Sequence, residues 1–404
     1  MPQSTTVSGA DPGVGATLSR VIVVGTASGR ADRERVEVEL DELEELARTL
    51  GTEVLERSLV TLREPHPATF FRSGVVDALA TRIAELGQPA VLSNSALTPR
   101  QQRNLQEVWD VPVLDRTEVI LAIFARRATT AEGRVQVEMA QLEHLLPRLA
   151  GGWSHLERQR GGVGLRGGPG ETQIEVDRRL IRRRIKRLRE RLAVVERQRQ
   201  TRRTARTAVP LASCALVGYT NAGKSTLLNA LTHSDVLADN LLFATLDPTS
   251  RRLELPSGRR IILTDTVGFI QNLPTELVEA FAATLEEVRQ AHMLAIVVDA
   301  SHPESEQQLR TVMGTLAEMG CNQPWLLLMS KTDRLNPAEL SRARLTLGDV
   351  AGSSPLCVSA RRETGLRQLR QALDALASHV LPDTLAGRRL VAEHESGETH
   401  RAAS

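Results

Sequence analysis

Short apolar runs alternate with helix-spaced apolar faces over the first third of the chain. Val21-Ile22-Val23-Val24 is a buried-strand run ended by Gly25. Leu40, Leu43, Leu46 and Ala47 space as one helix face, with Leu50 closing it before Gly51 stops it. Residues 54–62 alternate as a strand, and residues 73–86 read as a helix. A strand at Ala90-Val91-Leu92, a helix opened near Thr98-Pro99, a strand over 111–114 and a long helical tract over 118–149 complete the series. Repeated βα alternation predicts an α/β domain over residues 20–150 with a parallel sheet. It holds no nucleotide loop, so docking is expected of it rather than chemistry.

Residues 151–208 break that pattern. The stretch 160–173, R-G-G-V-G-L-R-G-G-P-G-E-T-Q, carries six glycines and a proline and cannot hold a regular element. It is either an idle linker or a loop that must approach something closely. From Ile174 the chain turns helical, with Ile181, Ile185, Leu188, Leu192 and Val195 forming a coiled-coil-like seam that needs a partner helix. Residues 178–206 hold fourteen basic residues against Glu190 and Glu196. The seam does not explain that charge. A solvated face is one reading; a polyanion such as RNA lying against the helix is the other.

The third unit, residues 209–381, carries the chemistry. Gly218 to Ser225 reads G-Y-T-N-A-G-K-S, the form G-x-x-x-x-G-K-[ST], between an apolar strand at Cys214-Ala215-Leu216-Val217 and a helix start. Its members Gly218, Tyr219, Thr220, Asn221, Ala222, Gly223, Lys224 and Ser225 would cradle phosphates on backbone N–H groups. Lys224 would reach the terminal phosphates and the Ser225 hydroxyl a magnesium ion. Against a chance glycine turn stands the composition: of 51 basic residues only Lys186, Lys224 and Lys331 are lysine. At this position a compact ammonium fits and a forked guanidinium does not.

Further stretches follow in the order a GTP-binding domain requires. The loop over 240–249 contains Phe243, Ala244, Thr245, Leu246 and Asp247, and Thr245 can supply a second oxygen to magnesium. Asp265, Thr266, Val267 and Gly268 form D-x-x-G, where Asp265 would hold magnesium through water and the Gly268 N–H sense the terminal phosphate. Ser330, Lys331, Thr332 and Asp333 follow a buried strand, and the Asp333 carboxylate can accept two hydrogen bonds from guanine. Ser359 and Ala360 end the last strand, where a backbone N–H can meet the guanine oxygen. The site expected is therefore for GTP or GDP with Mg2+, with Lys224, Thr245 and Gly268 as catalytic groups and Ser225, Thr245 and Asp265 on the metal. Two departures stand out. Phe269 follows D-x-x-G where many small GTPases place a water-orienting glutamine, so intrinsic hydrolysis should be slow. Ser330 replaces the usual Asn of N-K-x-D, which weakens the guanine contact.

At 404 residues the chain has room for these units, each with its own core. Aromatic residues make up 2%, which argues against base stacking on aromatic platforms. Cys214, Cys321 and Cys357 lie far apart, unlike a zinc site or a disulfide framework. No apolar run approaches the roughly 18 residues of a membrane span; with the cysteine spacing, which fits a reducing cytosol, this makes a cytoplasmic protein the expectation, and a monomer is expected as well. Residues 1–19 and the polar tail 382–404 read as disordered.

The chain resembles the HflX GTPases over about residues 20–380. The likeness rests on L-T-P-R-Q-Q-R-N-L from Leu97, D-R-T-E-V-I-L-A-I-F-A-R-R-A from Asp115 and E-G-R-V-Q-V-E-M-A-Q-L from Glu132. It extends to the glycine-rich stretch from Gly161 and to F-A-T-L-D-P-T from Phe243. An apolar residue at Phe269 is a trait of that family; Ser330 is not. The glycine-rich stretch is one glycine longer than usual at Gly167-Gly168, and a glycine- and lysine-rich signature near Arg72-Ser73-Gly74 is degraded. The resemblance implies a GTPase that binds the large ribosomal subunit and its rRNA and splits or rescues stalled ribosomes, with a potassium ion held near Asn221. The competing expectation is a nucleotide-sensing ribosome-binding module with relaxed GTP/ATP selectivity and little turnover.

Overall fold

A computed structural model describes residues 18–149, 173–206, 211–234, 242–270 and 282–380. The expected leader up to residue 17, the glycine-rich stretch up to residue 172 and the tail 382–404 lie outside the described residues. The chain divides into two compact units, residues 1–126 with 141–182, and residues 127–140 with 183–404.

In the first unit, strands β1 (Arg20–Ala27), β2 (Glu53–Thr61), β3 (Ala90–Ser93) and β4 (Val113–Asp115) form a parallel sheet in the order β2-β1-β3-β4. Helices α1 (Arg33–Thr49), α2 (Ser73–Glu85) and α3 (Pro99–Trp109) make the crossovers. Ile22, Val24, Ile83, Val91, Leu105 and Trp109 are among its buried core. Strand β1 does not end at Gly25: its ladder with β2 continues through Gly25–Leu59 to Ala27–Thr61. Helix α3 starts as its sequence directs. The Thr98 hydroxyl accepts from the Gln101 N–H, the Gln101 side chain accepts from the Thr98 N–H, and Pro99 takes the first helical position.

The tract over 118–149 is two helices, α4 (Arg116–Arg127) and α5 (Ala131–Arg148), separated at Ala128-Thr129-Thr130. Periodicity alone bridges the gap because apolar positions continue on both sides. The break is made by a cap: the Thr130 hydroxyl accepts from the Gly133 N–H at 2.9 Å. Helix α6 (Gln173–Arg206) follows as one element of 34 residues. Of the expected seam, Ile185 and Leu188 are buried, and Ile181, Leu192 and Val195 are half-buried. Arg182, Arg183, Arg184 and Arg187 are exposed, and Arg184 pairs with Glu138 of α5 at 2.7 Å.

The second unit is built on a six-stranded sheet in the order β10-β9-β8-β5-β7-β6. Its strands are β5 (Ala212–Gly218), β6 (Thr249–Glu254), β7 (Arg260–Asp265), β8 (Met293–Asp299), β9 (Trp325–Ser330) and β10 (Leu356–Cys357). All pair in parallel except β6 with β7. Helices α7 (Lys224–Thr232), α8 (Ala282–Gln290), α9 (Ser305–Glu318), α10 (Pro337–Ala351) and α11 (Leu366–Val380) accompany it. Strand β8 is buried along its whole length, as a central parallel strand with both faces covered must be. The strand order reverses at β5, whose next strand in sequence lies on one side while β8 lies on the other. Such a switch point opens a crevice at the carboxyl ends of the strands, where ligands bind in open α/β sheets. No helix among the described residues is long and apolar enough to cross a membrane.

Candidate functional site

Strand β5 delivers the loop 218–223 to that crevice, and Gly223 opens α7 from a left-handed backbone at φ +93°. Lys224 is buried and folds back across the loop, donating from Nζ to the Gly218 carbonyl at 3.2 Å and the Tyr219 carbonyl at 2.9 Å. Burial pulls its pKa down to about 8, with Lys331 adding to the effect and Asp265 opposing it. A buried ammonium whose hydrogen bonds go to two carbonyls, with Asp265 too weak an influence to offset its burial, is short of negative charge, which a phosphate would supply.

The three expected metal ligands meet here. Ser225 Oγ donates to Asp265 Oδ2 at 2.6 Å, Thr245 Oγ1 donates to the same oxygen at 2.7 Å, and the two hydroxyls lie 2.9 Å apart. Burial pushes the Asp265 carboxyl up, against the pull of Lys224 and the two hydroxyls. Asp265 Oδ1 and Thr220 Oγ1 are both buried without a hydrogen-bond partner, a state costing roughly 1–3 kcal/mol per group. An oxygen set of one carboxylate and two hydroxyls suits Mg2+, which keeps several waters and phosphate oxygens rather than a full protein cage. No cluster of three or more His, Cys, Asp or Glu residues fit for a metal occurs among the described residues.

The D-x-x-G segment packs directly on the loop. Phe269 donates its N–H to the Gly218 carbonyl at 3.0 Å, and its own carbonyl accepts from the Thr220 N–H at 2.8 Å. Between them, Gly268 comes so close that a Cβ there would meet Thr220 Cα at 2.6 Å. The Phe269 ring is buried, as are Val267 and Ile270. The Thr266 hydroxyl is also inward, donating to the Leu216 carbonyl at 2.7 Å and bracing β7 against β5.

The first-switch residues separate by role. Phe243 and Leu246 are buried anchors, Ala244 is half-buried, and Thr245 alone joins the Asp265 cluster. Asp247 turns elsewhere. Its carboxylate accepts from the Thr129 and Thr130 N–H groups, both at 2.9 Å, and from their hydroxyls at 2.7 and 2.5 Å. Those residues precede α5, so Asp247 sits over the amino end of that helix. Burial alone would raise its pKa, but the hydrogen bonds from Thr130 and Thr129 prevail and lower it.

At the far end of the crevice, Ser359 Oγ donates to Asp333 Oδ1 at 2.6 Å, holding that carboxyl below its ordinary range. Thr332 Oγ1 donates to the Val358 carbonyl at 3.0 Å, and Ala360 is half-buried beside Ser359. Lys331 lies over the loop, donating to the Asn221 carbonyl at 2.7 Å and pairing with Asp299 at 2.8 Å. Ser330 is buried, with Oγ 2.6 Å from the Ala222 carbonyl and 3.0 Å from that of Val298.

Three residues of this arrangement escape the motif reading. Asp299 ends the apolar run of β8 with a carboxylate at the sheet's carboxyl edge, a signal present in the sequence. The partners of Asp247, Thr129 and Thr130, are far away in the chain and carry no motif.

A phosphate cradle at β5 and a carboxylate at the end of β9 that can accept from a guanine edge together define a P-loop GTPase. Family models agree along the chain: "GTP-binding GTPase N-terminal" matches residues 37–125, "GTP-binding GTPase Middle Region" residues 127–206, and "50S ribosome-binding GTPase" residues 213–331. A GTPase HflX of Magnetococcus marinus is 50% identical over 360 residues, covering 87% of this chain and 83% of that protein. GTPase HflX of Escherichia coli is 44% identical over 349 residues, covering 86% and 81%. The fold is also that of a crystallised GDP complex of the protein SsGBP, with a TM-score of 0.50 and 23% identity over 90% of this chain and 99% of that one. The chain belongs to the HflX family of GTPases.

Proposed function

We propose that this GTPase binds the large ribosomal subunit through its rRNA and uses GTP binding and hydrolysis there to split or rescue stalled ribosomes. The observation that carries the reading is the match of residues 213–331 to 50S ribosome-binding GTPases, on a chain whose α6 exposes Arg182, Arg183, Arg184 and Arg187. A polyanion lying on that face would relieve the mutual repulsion of its arginines.

In the bound state the loop 218–225 holds the phosphates on its N–H groups, and Lys224 exchanges two carbonyls for phosphate oxygens. Ser225, Thr245 and Asp265 would hold Mg2+, whose charge would offset that of the phosphates. Asp333, aimed by Ser359, accepts from the guanine edge, and the Ala360 N–H meets its oxygen. Phe269 has no group to orient water, and its backbone is held by its pairing with Gly218 and Thr220. Fast hydrolysis therefore waits for a ribosomal surface to rearrange this segment. On the other side of the nucleotide, Thr245 is two residues from Asp247, so a pull on the metal ligand reaches the cap of α5, and through Glu138 and Arg184 the basic helix α6.

The test is steady-state phosphate release from GTP and from ATP, with and without purified large subunits, beside light scattering of intact ribosomes. Stimulation with GTP preferred, and a fall in scattering, are expected. Equal use of both nucleotides without stimulation would instead favour the sensing module.

A further inference from the structure

Guanine offers two donors on one edge, N1–H and N2–H, and two acceptors on the other, O6 and N7. The Asp333 carboxylate takes the donors, and a backbone N–H at Ala360 can serve O6. N7 remains without a donor among these groups, and at the end of β9, where guanine-specific domains carry Asn, this chain has Ser330. An amide there has two N–H donors, enough to brace the phosphate loop and still reach N7. A serine hydroxyl has one proton. In this chain the Ser330 Oγ lies 2.6 Å from the Ala222 carbonyl and 3.0 Å from the Val298 carbonyl, and the residue is only 6% exposed. The proton goes to a backbone acceptor on either choice, and two carbonyls surround the oxygen.

We infer that Ser330 keeps the bracing of the phosphate loop but leaves the guanine N7 unread, so the pocket selects the base through its N1, N2 and O6 groups alone. The inference rests on the guanine-nucleotide reading above and narrows it. It also distinguishes two effects of the serine. Selectivity against adenine survives, because adenine presents no N1–H or N2–H to Asp333. Selectivity at the five-membered ring is lost, so guanine nucleotides altered at N7 are accepted as ligands.

The experiment is equilibrium binding of the full-length protein to GDP, 7-deaza-GDP, IDP and ADP, repeated on Ser330→Asn. In 7-deaza-GDP the N7 acceptor is replaced by C–H. The wild type should bind GDP and 7-deaza-GDP within about twofold, and IDP, which lacks N2–H, several-fold more weakly than GDP. Ser330→Asn should bind GDP about fivefold more tightly and discriminate against 7-deaza-GDP by a similar factor, the worth of roughly one hydrogen bond. A wild-type preference for GDP over 7-deaza-GDP of fivefold or more would overturn the inference, and that ratio decides even where the asparagine variant does not fold. Equal binding of IDP, ADP and GDP, or no binding of GDP, would instead overturn the guanine reading beneath it.

Discussion

Replacing Asp247 with Ala removes one carboxylate that accepts from two backbone N–H groups and two hydroxyls at distances of 2.5 to 2.9 Å. The backbone donors belong to Thr129 and Thr130, which sit in the break before α5. The approach is tight: a Cβ on Gly133 would lie 2.5 Å from Asp247 Oδ1, so Gly133→Ala should disturb the same contact. Helix caps are worth about 1 kcal/mol, within roughly 0.5–2. Thr130 still caps Gly133 in the variant, and the half-exposed site lets water replace part of the loss, so about 1 kcal/mol is the figure to expect. A local loss of 1–2 kcal/mol shifts an opening equilibrium by about 5- to 30-fold. Amide hydrogen exchange, read by mass spectrometry on a peptide spanning residues 127–134, should therefore accelerate by about fivefold at Thr129 and Thr130, with exchange in β8 unchanged. The sign with pH follows from the lowered pKa. The contact contributes fully above the ordinary carboxyl value of 3.8 and is lost as pH falls through the lower folded value. Protection at pH 7 should thus be insensitive to small pH changes in the wild type. Unchanged exchange at Thr129 and Thr130 in Asp247→Ala would refute the clasp, and with it the route from the first switch to α5.

Other expectations follow from the same geometry. Lys224→Ala should abolish nucleotide binding, measured by calorimetry with GDP; binding within twofold of wild type would remove the loop from the site. Because burial brings Lys224 to about 8 in the free protein, and only its charged form attracts phosphate, GDP affinity should weaken as pH rises from 7 to 9.5. Flat affinity over that range would mean the ammonium contributes no charge to binding. Changing Arg182, Arg183, Arg184 and Arg187 together to Gln should weaken binding to large subunits and make its dependence on salt shallower, by roughly 3 in log–log slope if each reaches a phosphate. An unchanged slope would leave that face of α6 merely solvated.

What could be read from the sequence was what is local. Phosphate loops, D-x-x-G and the strand ends bind through contiguous backbone, so spacing alone carries them, and buried parallel strands such as β8 announce themselves as unbroken apolar runs. Gly25 misled because glycine weakens a strand by propensity, yet the ladder with β2 outweighs a local cost of under about 1 kcal/mol. The break between α4 and α5 was hidden because threonine is tolerated inside a helix and the apolar period runs on; only the cap to Gly133 and the Asp247 carboxylate make it an end. Nothing near Thr129 in the chain foretells a partner more than a hundred residues away.

The division of labour within F-A-T-L-D shows why such pairings matter. Phe243 and Leu246 are buried and fix the segment, so the two polar residues between and beyond them cannot move independently. Thr245 points to Asp265, and Asp247 to the amino end of α5. An extended stretch alternates its side chains, so residues two apart, like 245 and 247, share a side unless the backbone turns between them. Here they reach separate partners, and because only two peptide planes separate them, a displacement of Thr245 would carry to Asp247. A first switch that merely covered the nucleotide would need Thr245 alone. The carboxylate two residues on gives the segment a second anchor, just before the helix whose Glu138 pairs with Arg184 of the arginine-rich α6, and on the proposed function ordering of the switch would change how that helix is held.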